Sequence, residues 1–179
     1  MKIRWQRFNL YLLVAAVAAA VCGCKTPSSE PKPKKLLSTL RLHLEVSRSS
    51  PKGTQDVPVY RAKPVMVNVQ LIPFLSEAEV AEARVIDVGG DFALSIKFDR
   101  AGTALLEQYT TAYRGKRVAV YSQFGEAIKY NRWLAAPIIA RRITDGVFTF
   151  TPDATREEVE EIALGLNNVA KKVQKWTDM

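Results

Sequence analysis

The sequence predicts an α+β fold in which a mostly antiparallel sheet is covered on one face by two or three helices. Several segments alternate apolar and polar residues with a period of two, which is typical of half-buried strands. Two other segments place apolar residues at helical spacing behind a capping residue. Because the predicted strands and helices do not alternate strictly as βαβ units, an antiparallel sheet is favoured over a parallel one.

The first elements of this fold are predicted strands. Residues 40–46 alternate leucine or valine with polar side chains, and residues 65–71 repeat the alternation with valine and leucine. Between them, residues 49–56 are polar and contain Pro51 and Gly53, which favour a loop.

A short helix and a pair of strands are predicted next. Ser76 and Glu79 form a capping box, which predicts a helix that begins there and ends near Ala83. The adjacent glycines Gly89 and Gly90 suit a tight antiparallel turn between two strands. These strands are predicted over residues 84–88 and 92–98.

The second half of the chain contains two predicted helices separated by strands. Asp99 is suited to cap a helix that runs to about Ala112, and Gly115 lies just past its end. Thr155 and Glu158 form a second capping box, which opens the longest helix. The predicted elements between these helices are a strand over residues 117–121, a polar hairpin or loop over residues 122–131, and strands over residues 133–139 and 147–151.

The first 24 residues have the layout of a secretory signal peptide. A basic start is followed by an apolar run over residues 10–21, and the small residue Gly23 precedes Cys24. The last four residues, Val-Cys-Gly-Cys, resemble a bacterial lipobox. That resemblance implies that the chain is cut between Gly23 and Cys24, and that the thiol of Cys24 carries a diacylglycerol.

Two other interpretations of this segment remain open. An uncleaved membrane anchor needs about 20 apolar residues, whereas residues 10–21 supply 12. The second interpretation is an ordinary secretory signal with a chance cysteine near its cleavage site. Lipidation is favoured because Cys22 leaves with the signal, so Cys24 is the one thiol of the mature chain and has no disulfide partner there.

The sequence therefore divides into three parts. Residues 1–23 are the predicted signal, residues 24–36 a lipidated cysteine with a basic tether rich in proline and serine, and residues 37–179 a single α+β domain. The four lysines of the tether either attract anionic head groups or only keep the linker solvated. We expect a lipid-anchored protein that faces the periplasm. Lys25 stands where an aspartate resembles an inner-membrane retention signal, which favours the outer membrane.

The sequence does not contain a residue pattern typical of an enzyme. His43 is the one histidine; it is predicted to face solvent on the polar side of its strand, and it has no cysteine partner for a metal site. The sequence also lacks a phosphate-binding glycine loop and a nucleophile elbow. A catalytic pocket would have to gather Asp87, Glu126 or His43 with other polar groups. We therefore expect a protein that is not an enzyme and has no cofactor or metal.

Aromatic and basic residues in the second half suggest a protein partner rather than nucleic acid. The basic pairs lack the pattern of a recognition helix, and export to the envelope removes the usual nucleic-acid partners. Phe124, Tyr130 and Trp133 occur in one polar stretch and are suited to anchor a partner, with Arg141 and Arg142 nearby in sequence. The alternative is that Trp133 is buried under the sheet edge and that Tyr130 is ordinary packing.

A set of short motifs occurs in a fixed order between residues 110 and 166. The motifs are Thr110-Thr111, Gly115-Lys116, Val118-Ala119-Val120, Ala136-Pro137-Ile138-Ile139, Ile143 with Gly146 and Phe148, and Thr155 with Glu157-Glu158, Ile162-Ala163 and Leu166. Over roughly residues 92–167, this order resembles the periplasmic head subdomain of SecD, the accessory subunit of the bacterial Sec protein-export channel.

The resemblance implies the fold of that head subdomain and a role in contacting exported or envelope proteins. The chain departs from SecD because it lacks SecD's several membrane-spanning helices, and because residues 122–135 form a longer stretch than the short hairpin of that family. Two functions are therefore considered. The first is a membrane-tethered, non-catalytic binding module in the cell envelope, linked to protein export or envelope assembly. The alternative is a structural lipoprotein subunit of an outer-membrane complex with no transient client.

Overall fold

The computed structural model describes residues 36–47 and 52–177. The predicted signal, Cys24 and the tether up to residue 35 lie outside the described residues, as does Pro51. The described strands are β1 (Thr39–Leu44), β2 (Thr54–Val59), β3 (Val65–Gln70), β4 (Leu75–Ser76), β5 (Val80–Val88), β6 (Asp91–Phe98), β7 (Val118–Phe124), β8 (Tyr130–Ala135) and β9 (Val147–Phe150). The described helices are α1 (Arg100–Ala112), α2 (Arg156–Thr177) and the short 3₁₀-helices Glu77–Glu79 and Glu126–Ile128.

The strands form three antiparallel sheets. A four-stranded sheet has the order β4-β1-β7-β8, and a three-stranded sheet has the order β5-β6-β9. β2 and β3 form a separate hairpin, and an isolated bridge between Val69 of β3 and Glu45 joins it to the chain just after β1. Antiparallel sheets combined with two α-helices confirm the predicted α+β class.

The main core lies between the two larger sheets and the two helices. Alternate residues of β1 and β7 point into it and are at most 1% exposed; they are Leu40, Leu42, Leu44, Val118 and Val120. The helix α2 contributes Val159, Ile162 and Leu166, which are fully buried at the predicted helical spacing. Burial of one side chain of this size contributes about 1.5–3 kcal/mol. This apolar stripe therefore holds α2 against the sheets.

A second, smaller core covers the opposite face of the four-stranded sheet. The inward side chains of the β2–β3 hairpin are at most 2% exposed; they are Val57, Val59, Val67 and Val69. They pack with Ala119 of β7 and with Ala136, and Trp133 lies against the same cluster. The helices cover one face of this sheet as predicted, and the hairpin covers part of the other.

His43 was predicted to face solvent, and that prediction was wrong. Its side chain is 7% exposed because the hairpin covers the face of β1 on which it lies. Its Nδ1 lies 2.7 Å from the carbonyl oxygen of Gln70 and donates a hydrogen bond to it, since a carbonyl can only accept. The ring meets Trp133 edge to face, with centroids 5.1 Å apart. His43 is therefore a packed core residue.

The capping box at Ser76 is present, but the helix predicted to reach Ala83 is not. The Ser76 N–H donates to Glu79, and the Ala78 N–H donates to the Ser76 hydroxyl, yet the 3₁₀-helix ends at Glu79. The chain then extends into β5, which pairs with β6 along nearly its whole length. Long-range pairing with β6 thus overrides the local signal for a longer helix.

The strand β2 was missed, and the stretch from residue 122 to residue 131 is a hairpin. Asp56 and Pro58 interrupt the apolar pattern of β2, which hides the buried pair Val57 and Val59. The predicted polar stretch contains the end of β7, the 3₁₀-turn and the start of β8. It therefore extends the four-stranded sheet and is not an open loop.

Candidate functional site

A surface groove lies between β9 and the segment that follows β8. It has a volume of about 290 Å³ and is lined by residues 137–141 on one side and residues 147–149 on the other, with Thr110, Ile143 and Asp145 at its base and end. The Ile138 side chain, on the outer wall, is 54% exposed. We call this feature the β9 groove.

One wall of the β9 groove is the free edge of a strand. The Phe98 N–H donates to the Gly146 carbonyl at 2.9 Å, and β9 continues this antiparallel ladder with β6. Hydrogen-bonded pairs alternate along such a ladder, so the main-chain N–H and C=O groups of Val147 and Thr149 point away from β6. The Val147 N–H donates to the Asp145 carboxylate at 3.1 Å. Thr149 therefore directs an N–H and a C=O toward the groove.

The opposite wall is fixed by pairing with the segment before β7. Ile139 accepts from the Gly115 N–H at 2.9 Å and donates to the Lys116 carbonyl at 2.8 Å, and the Val118 N–H donates to the Pro137 carbonyl at 2.9 Å. This pattern directs the main-chain polar groups of Ile138 away from β7. The wall thus has a rigid backbone with an exposed apolar side chain.

Two residues join the groove to α1. The Thr110 hydroxyl is buried; it donates to the Leu106 carbonyl at 2.7 Å and accepts from the Ile143 N–H at 3.0 Å. Gly146 has φ +69°, and a Cβ there would lie 2.1 Å from the Thr103 hydroxyl oxygen. A side chain at residue 146 would therefore both strain the backbone and displace Thr103. These contacts fix the position of the chain where it enters β9.

The basic residues near the groove have different roles. Arg141, which was predicted as a contact residue, lines the groove and is exposed. Arg142 forms an ion pair with Glu107 of α1. Arg114 donates to the Ala140 carbonyl at 3.3 Å, which supports the outer wall. Arg141 is thus the exposed basic residue of this group that lines the groove.

The predicted aromatic contact residues lie away from the groove. Phe124 is fully buried, so its prediction as a direct contact residue was wrong. Tyr130 is 42% exposed and lies beside Phe124, with ring centroids 5.6 Å apart. Trp133 is half-buried and packs against His43 and Tyr121. Of the aromatic residues predicted to contact a partner, only Tyr130 remains well exposed.

An ion-pair network that was not predicted from the sequence joins the hairpin to the start of α2. Arg61 follows β2, and its main-chain N–H donates to the Asp153 carboxylate at 2.6 Å, while its guanidinium binds the same carboxylate at 3.2 Å. Arg132 of β8 pairs with Glu158 of α2 and lies 5.0 Å from the ring centroid of Phe124. Arg61 and Asp153 are 92 positions apart, so no local sequence pattern marks this network.

The electrostatics of the network keep both carboxylates ionised. Partial burial acts to raise the pKa of Asp153, but the hydrogen bonds and charge of Arg61 outweigh it and lower the pKa below its usual value. The same balance lowers the pKa of Glu158, where burial is outweighed by Arg132 and by the N–H of Thr155. The network therefore has a structural role, which is to hold the hairpin against the start of α2.

The three residues considered for catalysis are not gathered in the β9 groove. His43 is packed beneath the hairpin, Asp87 of β5 pairs with Arg156, and Glu126 lies in the turn between β7 and β8. Among residues 36–47 and 52–177, no group of three or more metal-ligating side chains is placed to hold an ion. In the same part of the chain, no helix is long and apolar enough to cross a membrane.

Comparison with solved structures shows the same fold in SecDF. One similar structure is that of SecDF as a membrane component that enhances protein export; it is 21% identical, with a TM-score of 0.53 over 75% of this chain and 64% of that chain. Another is SecDF in its super-membrane-facing form, 21% identical, with a TM-score of 0.51 over 73% of this chain and 19% of that chain. This chain thus spans less than two thirds of either protein. Comparison with the curated proteins gave no match.

The family model of the SecDF P1 head subdomain matches residues 54–170. The match begins at β2, well before the motifs that carry the sequence resemblance. Those motifs include the residues that build the β9 groove, among them Thr110, Gly115, Ile139 and Gly146. Because the family model matches more than half of the chain, this chain belongs to the SecDF P1 head subdomain family.

Proposed function

We propose that this protein is a lipid-tethered, non-catalytic binding module of the cell envelope that holds extended segments of exported or envelope polypeptides. The observation that carries this proposal is the free edge of β9 at an open groove. An edge strand binds a second backbone through main-chain hydrogen bonds, which do not depend on the partner's sequence. Such binding suits a protein that meets many exported chains before they fold.

The side chains of the groove fit an extended backbone with little sequence selectivity. Ile138 and Ala140 offer an apolar wall, and Arg141 adds a positive charge to the lining. Because side chains of a bound strand alternate between the two faces, one row would lie against the apolar wall and the other would face solvent. The site would therefore accept mixed apolar and polar sequences.

Membrane attachment through Cys24 is the second part of the proposal. Its support is the signal-like layout of residues 1–24 and the basic, proline-rich residues 25–35 that follow. The described domain begins with Leu36, whose carbonyl accepts from the Asn168 side chain at 3.0 Å. We propose that the domain faces the periplasm, on the outer membrane in preference to the inner membrane.

Substitution of Thr149 tests strand addition directly. In the Thr149→Pro variant, the N–H that points into the groove is removed, while the ladder to β6 keeps its hydrogen bonds. Thr149→Val is the matched control, since it also lacks the hydroxyl but keeps the N–H. The full chain in detergent is titrated with a reduced, carboxymethylated protein that stays unfolded. Loss of one hydrogen bond worth about 1 kcal/mol predicts about fivefold weaker binding for the proline variant only.

Equal affinity of the two variants would contradict strand addition at β9. A photo-crosslinking side chain at Ile138, in cells, separates transient clients from a fixed assembly. Many crosslinked exported proteins are expected. A single stoichiometric partner would instead support the alternative, a structural subunit of an outer-membrane complex.

A further inference from the structure

The C-terminal half of α2 carries an exposed tryptophan among lysines. Trp176 is 78% exposed and Val173 is 37% exposed. Lys171, Lys172 and Lys175 are exposed on the same two turns. Among the described residues, none of these three lysines forms an ion pair. We call these five residues the α2 basic end.

The carboxylates of the elements packed beside the α2 basic end are already engaged with other donors. Their donors are the Leu40 N–H for Glu77, the Ser76 N–H for Glu79, the Arg84 guanidinium for Glu82 and the Gly102 N–H for Asp99. Lys97 lines the surface next to Lys171 and adds a further positive charge. These carboxylates keep their charge, but none of them binds a lysine of the α2 basic end. Residues 171–176 themselves carry three exposed lysines and no acidic side chain.

This combination of residues fits the surface of an anionic membrane. Tryptophan side chains favour the boundary between head groups and acyl chains. Each lysine near an anionic bilayer adds about 1 kcal/mol of attraction. A helix end with three lysines and one tryptophan is too small to bind a membrane firmly by itself, so its contribution depends on being held close to the bilayer.

The number of residues between Cys24 and Leu36 sets an upper limit on the distance between the proposed anchor and the domain. The chain enters the domain beside α2, where the Leu36 carbonyl accepts from Asn168. Cys24 lies 12 residues upstream of Leu36, a stretch that spans at most about 40 Å. Trp176 lies eight residues beyond Asn168 on the same helix, or about 12 Å along its axis. A lipid on Cys24 thus holds the α2 basic end at high effective concentration near the bilayer.

We propose that the α2 basic end docks onto the anionic surface of the membrane to which the chain is tethered. This inference rests on the proposed lipid anchor for its strength, although the surface itself is independent of the anchor. Docking through α2 fixes which side of the domain faces the bilayer. The domain is then held in one orientation instead of moving freely on its tether.

The test measures contact between Trp176 and lipid. The full chain is reconstituted into vesicles of phosphatidylethanolamine and phosphatidylglycerol (3:1) whose acyl chains carry bromine, a quencher of tryptophan fluorescence. Subtraction of the Trp176→Phe signal isolates Trp176 from Trp133 and, where the predicted signal is not cut off, from Trp5. We expect at least twofold quenching of Trp176 in these vesicles and little in phosphatidylcholine vesicles with the same bromine content.

Charge reversal supplies the matched comparison. The double variant Lys172→Glu and Lys175→Glu should lose the quenching, whereas Lys52→Glu with Lys63→Glu changes net charge equally at exposed residues of the hairpin region and should keep it. Equal quenching in both double variants would overturn the proposal. So would crosslinking of residue 176 to a protein instead of lipid in cells.

A second arm separates docking from anchoring. The Cys24→Ser chain without the predicted signal (residues 24–179) is added to preformed vesicles of the same two compositions, and its Trp176 quenching is compared with that of its charge-reversed form. Charge-dependent quenching in this arm supports docking even if lipid labelling shows that Cys24 carries no lipid. Quenching that is absent in both arms, with Cys24 lipidated, overturns docking and leaves the anchor in place.

Discussion

Replacement of Thr110 by valine should destabilise the protein by about 1–3 kcal/mol, which is the cost of leaving a buried polar group without a partner. The Thr110 side chain is fully buried, and its hydroxyl accepts from the Ile143 N–H at 3.0 Å. Valine has nearly the same shape but cannot accept that hydrogen bond. The Ile143 N–H then has no side-chain acceptor at the place where α1 meets the β9 groove.

The neighbouring residue provides the control for this prediction. The Thr111 hydroxyl donates to the Glu107 carbonyl at 2.7 Å, but it is exposed, so water can replace the hydrogen bond. Thr111→Val makes the same chemical change on the same helix and should cost less than about 0.5 kcal/mol, as is usual for a surface substitution. Urea unfolding followed by circular dichroism measures both values, with the slope of the transition expected to stay constant. Equal destabilisation by the two variants would contradict a stabilising role for the hydrogen bond between Thr110 and Ile143.

Two further predictions concern the buried histidine and the edge of β5. Burial lowers the pKa of His43, an effect that its hydrogen bond to Gln70 only partly opposes, so the unfolded chain binds this proton more readily. Stability should be constant above about pH 6.5 and fall as the pH drops below it; His43→Gln should remove this dependence in urea midpoints measured between pH 7.5 and 5.5. Asn167 of α2 caps the edge of β5, since its side chain accepts from the Ala83 N–H at 2.8 Å and donates to the Ala83 carbonyl at 2.9 Å. Asn167→Ala should lower the unfolding free energy by about 1–3 kcal/mol in the same urea assay, and Asn167→Asp, which turns a carboxylate oxygen toward the Ala83 carbonyl in place of the donor, should lower it at least as much.

The parts of the fold that were predicted correctly depend on interactions between residues a few positions apart in the sequence. The Asp99 carboxylate accepts from the Gly102 N–H at 2.7 Å, which is the expected helix cap. Gly89 and Gly90 both adopt positive φ, at +60° and +91°, as a tight hairpin turn requires. Such signals are visible in the sequence because the partners are neighbours in it.

The parts that were missed depend on residues far apart in the chain. The exposure of His43 was predicted wrongly because the hairpin that covers it is contributed by residues more than ten positions away. The ion pair of Arg61 with Asp153 has the same cause, since neither residue belongs to a local pattern. Phe124 was assigned to the surface because its polar neighbours suggested a loop. Long-range packing thus determines the burial and the partners of these residues, which local periodicity does not indicate.

The candidate site also combines features that local sequence predicts with features that depend on long-range contacts. The family motifs were recognised from their order, yet the groove they build depends on two segments that meet only in the folded chain. Thr110 and Ile143 are 33 positions apart, and their hydrogen bond closes one end of the groove. The motifs therefore identified the family, and the structure was needed to show which surface they form.

Amide hydrogen exchange at Thr149 reports directly on strand addition at β9, because a bound strand must bury that N–H in a new hydrogen bond. The full chain in detergent is compared with and without a saturating reduced, carboxymethylated unfolded protein, and with the folded form of the same protein. If β9 binds an extended chain, exchange at Thr149 slows at least fivefold with the unfolded form and is unchanged with the folded form. Unchanged exchange at Thr149 while the unfolded protein is bound would contradict it.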